Sequence, residues 1–170
     1  WARRCGDEPD ADVELILASE RREKIVSNHS APHLLHSALR KVLGESVEQR
    51  GSLVNEEKLR FDFSHSNKVT DDQIMEIEDI VNLKIEEAID TKTKVLPYED
   101  ALKTGALAFF GDKYGEKVRV VYINEDFSVE FCGGTHVKNT SEIGGFAVTN
   151  ETSVSSGVRR IEAISGDKYY

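Results

Sequence analysis

The sequence predicts an α+β fold, a mostly antiparallel sheet packed with helices. Two stretches carry apolar residues at helical spacing, one over 34–43 and one over 74–89. Short β-rich stretches at 59–63, 118–123, 127–131 and 158–164 are separated by turn residues. The two kinds of element are interspersed without the alternation that builds a parallel βαβ sheet.

Taken in order, residues 1–12 are polar and offer no core. Val13–Ala18 is short enough to be a strand or the first turns of a helix, and its pattern does not decide. A helix is expected from about Asn28, a good N-cap, to Leu43, with Leu34, Leu35, Ala38, Leu39, Val42 and Leu43 on one side and Gly44 ending it. Val47–Val54 reads as a strand, and Leu59-Arg-Phe-Asp-Phe63 alternates as a half-buried one. Thr70 or Asp71 caps a second helix whose Ile74, Ile77, Ile80, Val81, Ile85 and Ile89 face inward. Lys92–Leu96 is a strand and Tyr98–Gly105 a short helix after Pro97. Val118–Ile123 and Phe127–Phe131 form a strand pair joined by Asn124-Glu-Asp, and Phe146–Thr149 and Val158–Ile164 supply the last strands. No repeat or low-complexity tract interrupts the chain.

The 170 residues suffice for one sizeable core, and 39% hydrophobic with 31% charged residues is a globular balance. No apolar run approaches the roughly 18–20 residues of a membrane helix, and the first residues lack the apolar stretch of a signal peptide. Starting at Trp1 suggests a fragment or a processed chain. Two cysteines, Cys5 and Cys132, make no disulfide framework, which favours a reduced, cytoplasmic setting. A formal net charge of −9 argues against gripping nucleic acid by bulk electrostatics and against DNA as a partner. Local basic clusters at Arg21-Arg22-Glu-Lys24, Arg40-Lys41 and Arg159-Arg160 are solvated faces unless something organises them.

Chemistry concentrates in two pairs. His29-Ser-Ala-Pro-His33 places two imidazoles four residues apart, on one face of a helix. Cys132-Gly-Gly-Thr-His136 places a thiolate and an imidazole around a glycine turn after a strand. Three nitrogens and one sulfur suit tetrahedral zinc, so a single Zn2+ held by His29, His33, Cys132 and His136 is expected. His36 is a packing residue or a support for the ligands, and His65 decorates a strand end. Pro32 falls at the edge of what a first helical turn tolerates and predicts a late or distorted helix start. A competing enzyme reading has Cys132 as a free nucleophile activated by His136, but zinc would consume the thiolate.

Asn28-His-Ser-Ala-Pro-His-Leu-Leu-His-Ser-Ala-Leu39 resembles the first metal motif of the editing domain of alanyl-tRNA synthetases. Gln49-Arg-Gly-Ser-Leu-Val54, Leu59-Arg-Phe-Asp-Phe-Ser-His65, Cys132-Gly-Gly-Thr-His-Val137 and Gly157-Val-Arg-Arg-Ile-Glu-Ala163 are similar to its later signatures, in the same order. The resemblance implies the fold shared by the threonyl and alanyl editing domains, over 20–166, with an N-terminal segment 1–19 of unclear identity and a 167–170 tail. It implies hydrolysis of tRNA(Ala) mischarged with Ser or Gly, a task that arises because an alanine pocket excludes glycine and serine poorly. By that resemblance Gln49 contacts substrate or positions water, Ser52 lines the pocket, Thr135 reaches the ester and Arg159 meets the phosphate or terminal adenosine. Cys132 is the ligand to watch for a catalytic role, and the zinc itself can activate water, polarise the substrate, hold its amino group or only shape the pocket. Backbone N–H groups at Gly133-Gly134 are candidate oxyanion donors. Where the family usually has Thr, this chain has Pro32, which removes a pocket hydroxyl. No room exists for an ATP-dependent aminoacylation domain. The non-enzymatic alternative is a structural-zinc RNA-binding module.

Overall fold

The computed structural model describes residues 17–108 and 114–166. Helix α1 spans Ser19–Leu43, strands β1 Gln49–Val54 and β2 Leu59–Ser64, helix α2 Asp71–Glu86, strand β3 Thr91–Pro97 and short helix α3 Tyr98–Leu102. Strands β4 Lys117–Ile123, β5 Ser128–Phe131, β6 Phe146–Ser155 and β7 Val158–Ser165 complete the fold, with a 3-10 turn at Thr140–Ile143. The strands form two antiparallel sheets, β1-β2-β7-β6 and β3-β4-β5, so the α+β expectation holds with the sheet divided in two. Of the Val13–Ala18 expectation, residues 13–16 lie outside the described residues and 17–18 are irregular.

Helix α1 begins nine residues before the expected cap. Asn28 lies inside it and is buried. Its Nδ2 donates to the carbonyl of Asn55 at 2.9 Å, and its Oδ1 accepts from Ser165 Oγ at 2.8 Å. The amide side chain is a tertiary tie rather than a cap, and a sequence pattern cannot tell those two uses of Asn apart. The added turns, Ser19 to Ser27, are polar and exposed at first, with Lys24 and Glu20 paired across one turn. Pro32 therefore sits in the helix interior, where it removes one backbone donor. Helix α2 starts as expected: Thr70 Oγ1 accepts from the Gln73 amide, and the Gln73 side chain accepts from Thr70 N, a capping box.

The main core lies between α1, α2 and the inner face of the four-stranded sheet, with Leu34, Leu35, Leu39, Phe61, Phe63, Ile77, Val81 and Ile161 at its centre. Asn82 locks α2 to β6, donating to the carbonyl of Phe146 and accepting from its amide, both at 2.9 Å. A second, smaller core of Ala101, Val120, Tyr122 and Phe131 lies against the three-stranded sheet. Strand β4 serves both, because alternate residues face opposite ways: Val121 and Ile123 enter the main core, Val120 and Tyr122 the smaller one. No helix among the described residues is long and apolar enough to cross a membrane.

Candidate metal centre

Helix α1 carries His29 and His33 one turn apart, their rings nearly parallel with centroids 6.2 Å apart. The end of β5 delivers Cys132, and the loop after it returns His136 against both, with ring centroids 4.9 and 4.8 Å away. One ligand atom from each of His29, His33, Cys132 and His136 lies within 4.8 Å of the others. Cys132 Sγ stands 3.6 Å from His29 Nε2. Zinc bonds of about 2.0–2.3 Å give tetrahedral edges of roughly 3.3–3.6 Å, so this edge already fits and the longer ones need a small contraction. Both ring nitrogens of His136 are buried without a hydrogen-bond partner, the condition of a donor meant for an ion. The residues present fit a zinc held by one thiolate and three imidazoles.

Two features hold the loop on the helix. Ser30 Oγ accepts from the Val137 amide at 3.0 Å and donates to the carbonyl of Val26 at 2.9 Å. Gly134 passes so close to His29 that a Cβ there would stand 1.9 Å from the ring's Cε1. Arg119 closes the other side by donating to the Gly134 carbonyl. The turn therefore needs glycine at 134 for close approach, whereas a Cβ on Gly133 would meet nothing within 4 Å.

Behind the ligands stands Glu130, which sequence reasoning passed over. Its carboxylate is buried and takes His33 Nδ1–H on one oxygen and His36 Nδ1–H, at 2.7 Å, on the other. With Nδ1 committed, His33 offers Nε2 to the metal. The available signal was the alternation of β5: Ser128 and Glu130 share one face while Val129 and Phe131 pack in the smaller core. The polar face looks at α1, and Ser128 Oγ donates to the carbonyl of His33.

Electrostatics follow from this crowding. Burial pushes the Cys132 thiol up, but the surrounding imidazoles of His136, His29 and His33 outweigh it and hold it down at about 3, the thiolate form a metal takes. Burial, with the charge on His33, keeps His136 below the usual imidazole range. Burial also opposes charge on His33 and Glu130, yet their pairing wins, raising the imidazole and lowering the carboxyl. Metal binding at His33 then releases a proton.

The other expected site residues are distributed as follows. Gln49 and Ser52 lie on edge strand β1 opposite Phe63 and Phe61, on the sheet face turned towards α1. Gln49 borders a small cavity with His36. Thr135 is exposed in the loop between Cys132 and His136. Arg159 lies on β7 opposite Phe63, its Nε and Nη2 both donating to Glu151 at 2.6 Å. Arg160 forms the same fork with Asp62, and Arg21 with Glu56, so these members of the basic clusters carry carboxylate partners. His65 lies just beyond β2, its ring stacked on Phe63, as expected of a strand-end residue.

This fold and donor set define a class, the second additional domain of threonyl and alanyl tRNA synthetases, whose family model matches residues 118–162. The nearer relatives narrow it. The chain is 49% identical over 166 residues to the alanine–tRNA ligase of Cupriavidus necator, covering 98% of this chain and 18% of that protein. It is 54% identical over 154 residues to that of Pseudothermotoga lettingae, 91% of this chain and 18% of the relative. It is 56% identical over 146 residues to that of Fervidobacterium nodosum, 86% and 17%. The chain belongs to the alanine–tRNA ligase family, matches the second additional domain over residues 118–162, and spans less than a fifth of the length of these curated relatives.

Proposed function

We propose that this chain hydrolyses the ester of tRNA(Ala) mischarged with serine or glycine, as the editing domain of an alanine–tRNA ligase working in the cytoplasm. The observation that carries the reading is the convergence of His29, His33, Cys132 and His136, from segments a hundred residues apart, in a chain of this family. Zinc, when bound there, supplies positive charge beside the reacting ester.

The rest is the work of the chain's own residues. Water attacks the ester carbonyl, the carbon–oxygen bond to the terminal ribose breaks, and the amino acid and a ribose hydroxyl leave. Gln49, whose amide cannot act as a strong base, orients that water. Amides of Gly133 and Gly134 donate to the developing oxyanion. Ser52 and Thr135 hydrogen-bond the amino acid. The Arg159 guanidinium, held flat by Glu151, faces the phosphate or terminal adenosine with its remaining donors. Pro32, in place of a hydroxyl-bearing residue, weakens selection of serine over glycine.

One observation favours a second reading: four protein ligands saturate a tetrahedral zinc and are the usual structural set. A deacylation assay with Ser-tRNA(Ala) and Gly-tRNA(Ala) decides between them. Editing predicts ester cleavage that falls strongly with Gln49→Ala and with Cys132→Ala. Folded, zinc-loaded protein that leaves both esters intact is the RNA-binding module instead.

A further inference from the structure

The four-stranded sheet neutralises its own cations: Arg160 is forked on Asp62, Arg159 on Glu151, and Lys58 pairs with Glu162. The three-stranded sheet does not. On its face towards the metal loop, Thr93, Val95 and Pro97 of β3 lie opposite Val121, Arg119 and Lys117 of β4. Among the described residues neither Arg119 nor Lys117 has a carboxylate partner, and the exposed part of this face carries no acidic side chain. In a chain of net charge −9, two neighbouring uncompensated cations mark where an anion can approach.

Arg119 lies against the metal loop. Its carbonyl accepts from the Cys132 amide at 3.0 Å, and its Nη1 donates to the Gly134 carbonyl. That bond anchors the guanidinium and leaves Nε and Nη2, the parallel donors that grip a carboxylate or phosphate, without a protein acceptor among the described residues. In Arg159 and Arg160 the same two donors are occupied by Glu151 and Asp62. Lys117 is exposed on the same face, two residues or about 6.6 Å along the strand. Directly across from Arg119 stands Val95, 66% exposed, more than any other large hydrophobic on a described strand. Cations beside an exposed apolar surface are what a single-stranded nucleic acid needs, charge for its backbone and a flat contact for a base.

We propose that this ledge carries the unpaired 3′ end of the RNA away from the metal centre: Arg119 Nε and Nη2 take one backbone phosphate, Lys117 takes the next one outward, and Val95 with Pro97 supports a base between them. The ligand rests on the ester-hydrolysis reading, which puts the terminal ribose beside the metal loop. Arg119, next to that loop, then meets the phosphate nearest the terminal adenosine. Of the two groups offered to Arg159, whose fork Glu151 holds, the adenosine is the one left to it. The ledge thereby reads phosphate spacing and leaves amino-acid selection to the pocket.

The test compares the seryl ester of adenosine, which has no phosphate, with the seryl ester of the trinucleotide CCA, on the zinc-loaded chain and three variants. Lys117→Gln removes an exposed charge, Arg119→Lys keeps the charge and a donor for Gly134 but loses the fork, and Val95→Asp sets a carboxylate beside that fork. Zinc content and thermal midpoint check that each folds. Expected is a fall of about 10-fold in the ratio of kcat/KM for the trinucleotide ester to that for the adenosine ester in Arg119→Lys and Val95→Asp, and a smaller fall in Lys117→Gln. If Arg119 only clamps the loop, both esters suffer alike, the ratio holds, and the ledge is overturned while editing stands. Independently, fluorescence anisotropy with dye-labelled CCA follows binding against salt. The slope of log affinity on log salt should be shallower than wild type by about 0.7 in Lys117→Gln. Wild type inactive on both esters overturns editing, and the ledge is then decided by this slope: equal slopes in wild type and Lys117→Gln overturn it.

Discussion

Replacing Gly134 by alanine tests whether the metal centre is built as the geometry indicates. The new Cβ would lie 1.9 Å from His29 Cε1 and 2.6 Å from each ring nitrogen. An ordinary contact needs about 3.4 Å, so the ring must retreat by roughly 1.5 Å, while a zinc–nitrogen bond tolerates only about 0.2 Å. His29 is thus lost as a ligand. If a structural zinc binds with about 10–16 kcal/mol spread over four donors, one donor is worth about 2.5–4 kcal/mol, or roughly 10²–10³-fold in affinity. His29 is only part-buried, so the displaced ring has solvent to move into and the metal-free protein should change little in stability. The assay is competition against a chromophoric chelator, with urea unfolding of the metal-free proteins alongside. Gly133→Ala, whose Cβ meets nothing within 4 Å, is the control and should bind as wild type does. Equal zinc affinity in Gly134→Ala and Gly133→Ala would refute the assignment of His29.

Three further outcomes follow from other parts of the fold. Asn28→Ala strands the carbonyl of Asn55 and leaves the Ser165 hydroxyl with Ser27 Oγ, 2.9 Å away, so it should lower unfolding stability by about 1–2 kcal/mol in urea titration. Arg159→Met leaves Glu151, whose side chain is 3% exposed, without its forked partner and should cost about 1.5–3 kcal/mol; adding Glu151→Leu should restore most of it, and a double variant no better than the single one would contradict a coupled pair. In the metal-free chain carrying Cys5→Ser, the lowered Cys132 thiol stays ionised down to about pH 3. Alkylation by iodoacetamide should therefore hold nearly constant from pH 8 to pH 5, whereas an unperturbed thiol slows about tenfold per unit below its pKa of about 8.5. Such slowing in Cys132 would show that the imidazoles do not hold the thiolate.

Much of this was legible in the residues, for reasons that differ by element. The cap at Thr70, one of the two expected candidates, and the apolar run Ile77, Val81, Ile85 are local signals, read without knowing the rest of the chain. The metal set was legible because i, i+4 spacing and a glycine turn each constrain side-chain direction locally, and the two halves had complementary donors. What escaped depends on distant partners. Asn28 has the chemistry of a cap and is used instead to join α1 to Asn55 and Ser165. Glu130 looks like an ordinary strand carboxylate until α1 brings two histidines to it. The division into two sheets was also invisible, because strand pairing is set by tertiary contacts that periodicity does not encode.

The two-core arrangement gives the metal centre a mechanical sense. Apolar contact holds α1, α2 and the four-stranded sheet together, and the three-stranded sheet keeps part of its own core apart from them. Where β5 meets α1 the contact is polar: Ser128 on the His33 carbonyl, Glu130 between His33 and His36, then Cys132 among the imidazoles. A dispersive contact there would tolerate sliding, since hydrophobic burial has no preferred direction. A carboxylate bridging two imidazole N–H groups and a tetrahedral donor set do have direction, and they fix the register of β5 on the helix to within a bond's tolerance. The cavity between His36 and Gln49 lies at the same seam, bordered by α1, by β1 and by Leu107, which bridges to Glu130 of β5. Its walls therefore combine the polar joint with Val47 of the main core.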